Sequence, residues 1–168
     1  MAMADIRLLN ITPELCEALA QPSEFEAQYS ALLGDNAELI IEVAGSNEVH
    51  RDAVGSEARW GGYLAVDVAS NSVVGTCAYK GAPDEDATVE IAYFTFPNFE
   101  RQGFATAMAR KLERQVYESG EVDRIVAHTL PEESPATRVL SRLHYEHTSE
   151  IADFEDGPIW RWERTIRK

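Results

Sequence analysis

The residues best suited to chemistry lie in the turn Glu100-Arg101-Gln102-Gly103-Phe104-Ala105-Thr106. One glycine followed by small residues lets several consecutive backbone N–H groups converge where a helix begins, and the helix dipole adds positive potential there. That arrangement binds anions, and phosphate is the usual guest. The same turn also serves as an ordinary strand-to-helix connection with no ligand. Its spacing is neither G-x-x-x-x-G-K-S/T nor G-x-G-x-x-G, so a Walker-type NTPase and a dinucleotide fold lose their fingerprints. Covalent catalysis has no support either. There is no G-x-S-x-G, and Cys16 and Cys77 have no visible base and form no C-x-x-C. Both cysteines read as small buried hydrophobes. His128 sits in a strand, on the face opposite Ile125, Ala127 and Thr129. It reads as a base, an acceptor contact or a packed, hydrogen-bonded side chain. His144 and His147 read as surface residues.

Two elements must hold that turn in place. Thr88 to Phe96 is β-branched and aromatic, with no Gly or Pro, which predicts a strand that Pro97 and Asn98 break. A helix is predicted from near Gln102–Gly103, with Phe104, Met108, Leu112 and Val116 four apart on one buried face and Gly120 beyond its end. Before them, Ile6 to Ile11 predicts a short strand. Thr12 caps a helix with Pro13 in its first position. A second helix is expected from Ser23 to Gly34, with Ser23 and Glu26 as a capping box. Asp35 to Ala58 reads as a short helix with a mobile loop, or as an ordered lid. Trp60 to Val68 and Ser72 to Lys80 make a hairpin. Arg124 to Leu130 is a strand, and Ser134-Pro135 opens a helix whose face is Ala136, Val139, Leu140 and Leu143. Tyr145 to Phe154 and Ile159 to Ile166 close the chain as two strands around Asp156-Gly157-Pro158. Strands interleaved with helices predict an α/β or α+β domain, and 168 residues predict a single domain over 1–168.

The net charge of −14 argues against nucleic acid as a partner, because phosphate neutralisation needs a basic face. It also opposes a phosphate-rich ligand. Screening over about 8 Å at physiological salt lets the loop N–H groups, with Arg101, Arg110 and Lys111 nearby, prevail locally. No apolar run is long enough to span a membrane, and residues 1–10 lack a secretory pattern, so a cytoplasmic location is expected.

From about Val74 onward the chain resembles the GCN5-related N-acetyltransferase family. The family's loop pattern Q/R-x-x-G-x-G/A is met by Gly103 and Ala105, with Glu100 where Gln or Arg is preferred. VVGTCAYKG, PDEDATVEIAYFTFP, RIVAHTLPEESPATRVLSRLHY and WRWER follow the ribosomal-protein-alanine-acetyltransferase-like branch in order. The resemblance implies one mixed sheet of about seven strands with helices on both faces. Two parallel central strands, Thr88–Phe96 and Arg124–Leu130, would splay to admit the pantetheine arm of acetyl-CoA. It implies acetyl-CoA as acetyl donor and no metal. The acceptor would be a primary amine, either a peptide N-terminus or a small cationic amine, and a homodimer is admitted.

Acetyl transfer to an amine requires a held cofactor, a polarised thioester carbonyl and a deprotonated amine. On this resemblance Arg101, Gln102, Gly103, Phe104, Ala105 and Thr106 hold the pyrophosphate. Exposed backbone groups at Phe94, Thr95 and Phe96 receive the arm. Glu90, on the strand face shared with Ala92 and Phe94, is the candidate general base, acting through a water or yielding that role to solvent. Other departures weigh on the catalytic reading. Glu133 replaces an Asn, Ala136 a Ser and His144-Tyr145 a Gly-Phe, and Leu140 stands where some branches carry an acidic Tyr. They keep open a non-catalytic CoA-binding module, and acyl chain length is open too. Nine carboxylates (Glu24, Glu26, Glu38, Glu42, Asp84, Glu85, Asp86, Glu132 and Glu133) are expected to draw a cationic acceptor if they line its entrance, and otherwise serve solubility.

Overall fold

The computed structural model describes residues 4–55, 57–153, 155 and 157–166. Seven strands form one mixed sheet in the order β1-β2-β3-β4-β5-β7-β6. β1 (Ile6–Asn10), β2 (Gly62–Asp67), β3 (Val73–Tyr79) and β4 (Thr88–Thr95) run as antiparallel neighbours. The chain then crosses through α4 (Phe104–Ser119) to β5 (Arg124–Thr129), which lies parallel to β4. After α5 (Pro135–Arg142), β6 (Glu146–Asp153) takes the outer edge, and β7 (Gly157–Thr165) inserts antiparallel between it and β5. Phe154 and Asp156, assigned by the sequence to this last hairpin, lie outside the described residues. No helix among the described residues is long and apolar enough to cross a membrane.

Apolar side chains sort onto the two faces of the sheet by the alternation of a pleated strand. On one face, Val89 and Ile91 of β4 join Phe104, Met108, Leu112 and Val116 of α4 and Val139 and Leu140 of α5. The four-residue spacing of α4 therefore forms the buried stripe it predicts. The buried Tyr79 hydroxyl donates to the Leu112 carbonyl at 2.7 Å, tying β3 to that helix. The other face is covered by α1 (Pro13–Leu19), α2 (Pro22–Tyr29) and α3 (Ala37–Val54), through Leu15, Leu19, Phe25, Ile40 and Ala44. Thr12 caps α1 as its sequence predicts, accepting from Leu15 N at 3.2 Å. Ser134 and Thr137 close a capping box on α5.

Two expectations are corrected. The second helix ends at Tyr29 rather than Gly34, and Ser23 does not cap it. Pro22, which has no N–H to lose, takes the first helical position, moving the boundary to Gln21. Ser30 then turns left-handed, and the Glu26 carboxylate accepts from Leu33 N at 2.9 Å instead of closing a capping box. Leu32 makes a parallel bridge to Ser72. The second correction concerns Asp35–Ala58, which holds one 18-residue helix rather than a short helix with a loop or lid. Its buried stripe is narrow, Ile40 and Ala44, and its polar second half is joined by a Glu48–Arg51 ion pair at 2.7 Å. That narrow stripe gave the hydrophobic pattern little to register.

The feature that positions the site is where β4 and β5 part. They pair only at Thr88–Arg124, Val89–Ile125 and Glu90–Val126. Beyond that point β4 keeps β3 as partner through Thr95–Gly75, while β5 keeps β7 through Thr129–Trp160. Gly75 permits this approach, because a Cβ there would collide with the Phe94 carbonyl and lie 3.0 Å from Met108 Cε. Gly75→Ala is expected to destabilise the fold by about 1–3 kcal/mol, the cost of overpacking a closed core. Denaturant unfolding checks this, with a lowered midpoint and unchanged slope as the expected result.

Candidate active site in the split of the sheet

On the α4–α5 side, the parted strands open a cleft of about 740 Å³. Its walls are Tyr93–Thr95 of β4, the turn after it, the first residues of α4, and Pro135, Ala136, Arg138, Val139 and Arg142 of α5. The turn is shaped by two left-handed residues, Arg101 (φ 66°) and Gly103 (φ 86°), the second being the N-cap of α4. The first bond of the helix runs from Ala107 N to Gly103 O at 3.1 Å. The N–H groups of Phe104, Ala105 and Thr106 precede it and have no acceptor within the helix. They sit at the positive end of a 16-residue dipole, an arrangement that favours an anion.

Of the loop residues singled out from sequence, Arg101, Gly103, Phe104, Ala105 and Thr106 line the cleft, while Gln102 is exposed and does not. The structure adds two cations that sequence reasoning missed, Arg138 and Arg142. They stand four apart on α5, a spacing visible in the sequence, but only the fold places that face opposite the loop. Arg110 and Lys111 do not line the cleft, and neither does Glu133, whereas Glu100 does. Leu140 is fully buried in the core. The phenol that does border the cleft is Tyr93, whose hydroxyl donates to the Ala136 carbonyl at 3.4 Å. Burial, with Glu113 adding to it, pushes that phenol well above its ordinary range, so it keeps its proton at neutral pH.

The backbone of β4 narrows the expectation for Phe94–Phe96. Phe96 N donates to Val74 O at 2.9 Å and Lys80 N donates to Glu90 O, so even-numbered residues turn their backbone groups toward β3. Phe94 and Phe96 are therefore satisfied there, and the buried Phe96 does not line the cleft. By the same alternation Thr95 points its N–H into the gap. Its buried Oγ1 has no hydrogen-bond partner. An extended polar arm lying between the strands meets unused groups at Thr95.

Glu90 lies at the last paired position before the split and on the opposite face, as strand alternation predicts. Its Oε2 is 2.9 Å from His128 Nδ1 and 3.8 Å from Lys80 Nζ. These residues border a cavity of about 410 Å³ flanked by Leu130, Ile151 and Ile159. A smaller cavity, about 110 Å³, lies between Asn47 of α3 and Ala92 and Phe94. Ala92 borders both, and Tyr93 and Phe94 border the smaller cavity and the large cleft, so the three hollows follow one another along β4. None of the nine carboxylates expected at an acceptor entrance lines any of them. Two have structural work instead: Glu26 as described above, and Asp84, whose Oδ1 accepts from Asp86 N and Thr88 N. Net charge did not report where those carboxylates lie.

A family description, "Acetyltransferase (GNAT) domain", matches residues 13–146. The chain belongs to that family. It is 29% identical over 86 residues to an uncharacterised N-acetyltransferase, p20, of Bacillus licheniformis, a match spanning 51% of this chain and 48% of that protein. The chain thus aligns with about half the length of that relative. Its fold is shared with a protein from Vibrio cholerae described as a "putative ribosomal-protein-serine acetyltransferase" at TM-score 0.69 and 14% identity, covering 98% and 95% of the two chains. It is also shared with RimL, a ribosomal-protein alpha-N acetyltransferase in complex with coenzyme A, at TM-score 0.65 and 15% identity, covering 99% and 96%.

Burial argues against either thiol as a nucleophile, although Cys77 borders the smaller cavity. Cys77 is buried, and burial pushes its thiol far up. Cys16 is half-buried and also raised, by burial first, then by Glu48. Thiolate is the reactive form, so raised thiols react only at higher pH or on exposure. Alkylation at pH 8 followed by mass spectrometry is expected to leave Cys77 unmodified in the native protein and to modify it fully in denaturant.

Proposed function

We propose that this chain is an N-acetyltransferase that transfers the acetyl group of acetyl-CoA to a primary amine. The observation that carries this reading is the cleft between the parted strands. It has an anion cradle at one end and unused groups at Thr95 in the middle, and a carboxylate, Glu90, stands where the strands rejoin, on the opposite face of the sheet. A long polyanionic cofactor fits these groups. The N–H groups of Phe104–Thr106, with Gly103 as N-cap and Arg101, Arg138 and Arg142 around them, would hold its phosphates. Gln102, next to Gly103, stays part of this proposed loop through its backbone. The pantetheine arm would lie along β4 past Tyr93–Thr95, with the Thr95 backbone as donor. When bound, acetyl-CoA supplies the acetyl thioester.

The remaining work falls to this chain. Glu90 takes the proton the amine must lose before it can attack, directly or through a water. Thr95 N–H, fixed by the sheet, is the donor placed to stabilise negative charge developing on a carbonyl oxygen in the gap. The acceptor we propose is a peptide N-terminus or a small amine. Two proteins of the same fold are described as acting on ribosomal proteins, which favours the peptide. Glu100 on the cleft wall would repel phosphates and weaken their hold, which keeps a second reading, a module of this fold without turnover.

Thiol release from acetyl-CoA, measured against a panel of amines and N-terminal peptides, separates the two readings. Turnover with at least one amine is expected. Glu90→Gln should lower kcat on the order of 100-fold with little change in acetyl-CoA affinity. Gly103→Val should weaken acetyl-CoA several-fold, because φ 86° strains any L side chain and tilts the cradle. Wild-type turnover in Glu90→Gln would remove Glu90 as base, and unchanged calorimetric affinity in Gly103→Val would remove the loop. A chain that binds acetyl-CoA but acetylates nothing in the panel would favour the module.

A further inference from the structure

His128 has no role in the function proposed above, yet its position is specific. It lies two residues beyond Val126, the last β5 residue paired with β4, on the face that also carries Glu90. Its Nδ1 is 2.9 Å from Glu90 Oε2. Its other nitrogen, Nε2, is buried and has no hydrogen-bond partner. A carboxylate only accepts, so the short contact requires a proton on Nδ1. A second proton on Nε2 would be a buried donor with nothing to receive it. Of the two neutral rings, the one with its proton on Nδ1, the less common form of free imidazole, is the form that satisfies this contact.

The carboxylate is the group within reach of an acceptor. Its side chain is 31% exposed against 19% for His128, and Nε2 is shut off. Both His128 and Lys80 address the same oxygen, Oε2, and among the described residues no hydrogen bond is made to Oε1. One oxygen is anchored and the other makes no hydrogen bond among the described residues, on a side chain that borders the cavity also lined by Ala92 and Leu130.

We propose that His128 is a positioning residue. Its Nδ1–H fixes the Glu90 carboxylate so that Oε1, not Oε2, meets the amine proton, with Lys80 supporting the same oxygen from the side. This rests on the reading of Glu90 as the base. The proton path balances simply: the ammonium gives its proton to Glu90 Oε1, His128 keeps its own on Nδ1, and no redox partner is involved. The role follows from orientation. A carboxylate free to rotate spends less time in the productive geometry, and misplacement of a reacting group costs rate rather than binding.

The test joins a spectroscopic readout, independent of activity, to kinetics. Long-range ¹⁵N–¹H correlation of the histidine rings in the wild-type chain is expected to show His128 with its proton on Nδ1, and Glu90→Ala is expected to return it toward the Nε2–H form. His128→Leu should lower kcat about 10-fold with acetyl-CoA affinity and melting temperature near wild type. His128→Asn, whose side-chain amide offers a donor near the Nδ1 position, should recover most of that loss. A ring protonated on Nε2 in the wild-type chain overturns the proposal, and so does an active enzyme whose His128→Leu variant turns over like wild type. Equal loss in His128→Leu and His128→Asn overturns it too, since that pattern belongs to packing. If Glu90→Gln retains full turnover, the base assignment fails and this role fails with it. That outcome is told apart from the others because the Nδ1 proton remains visible in the spectrum.

Discussion

A parallel pair of strands that stops pairing after three residues leaves backbone groups with no partner, and this split organises the molecule. Buried N–H and C=O groups are normally paired, so a sheet opened at its centre must either admit water or receive something else. β4 and β5 resolve the problem by each keeping its outer neighbour, β3 and β7. The helices on either face keep the two halves packed. What remains is a slot with a polar wall on β4 and access from both faces of the sheet. The anion cradle opens on one side and Glu90 on the other. A cofactor laid in the slot would present its reactive end to an acceptor arriving from the opposite face.

Electrostatics act locally here. A chain of net charge −14 does not attract a polyanion as a whole. In the cleft, however, Arg101, Arg138 and Arg142 line the same walls as the N-terminus of α4. Screening over about 8 Å confines the distant carboxylates to their own neighbourhoods. The acidic surplus is carried by turns, helix faces and the edge strand, which suits solubility. The cavity beside Glu90, by contrast, sets charged and polar side chains, Lys80, Glu90, His128 and Thr129, against Leu130, Ile151 and Ile159.

The strand–turn–helix unit was legible because its periodicities are strong and its breakers, Pro97 and Gly103, are unambiguous. The two parallel strands and the face of Glu90 followed from alternation and from family resemblance. The Glu90–His128 contact did not, because the residues are 38 apart and meet only through the register Glu90–Val126. Arg138 and Arg142 were hidden for the same reason: a helix face has no meaning until its neighbour is known. α3 was hidden by composition, since Gly45, Ser46 and Asn47 interrupt a stripe only two buried residues long, and Gly45 meets nothing within 4 Å that would reveal a packing role. Phe96 reads as part of the slot in sequence, but its N–H belongs to Val74.

The central claim is that the split leaves Thr95, and not its neighbours Phe94 and Phe96, with a backbone donor facing the slot proposed to take coenzyme A. Residue-resolved amide hydrogen exchange, with and without coenzyme A, tests it most directly. The account predicts fast exchange at Thr95 and slow exchange at Phe94 and Phe96 in the free chain, with coenzyme A slowing Thr95 by at least tenfold and leaving the other two unchanged. Slow exchange at Thr95 in the free chain, or exchange there that is indifferent to saturating coenzyme A, would contradict it.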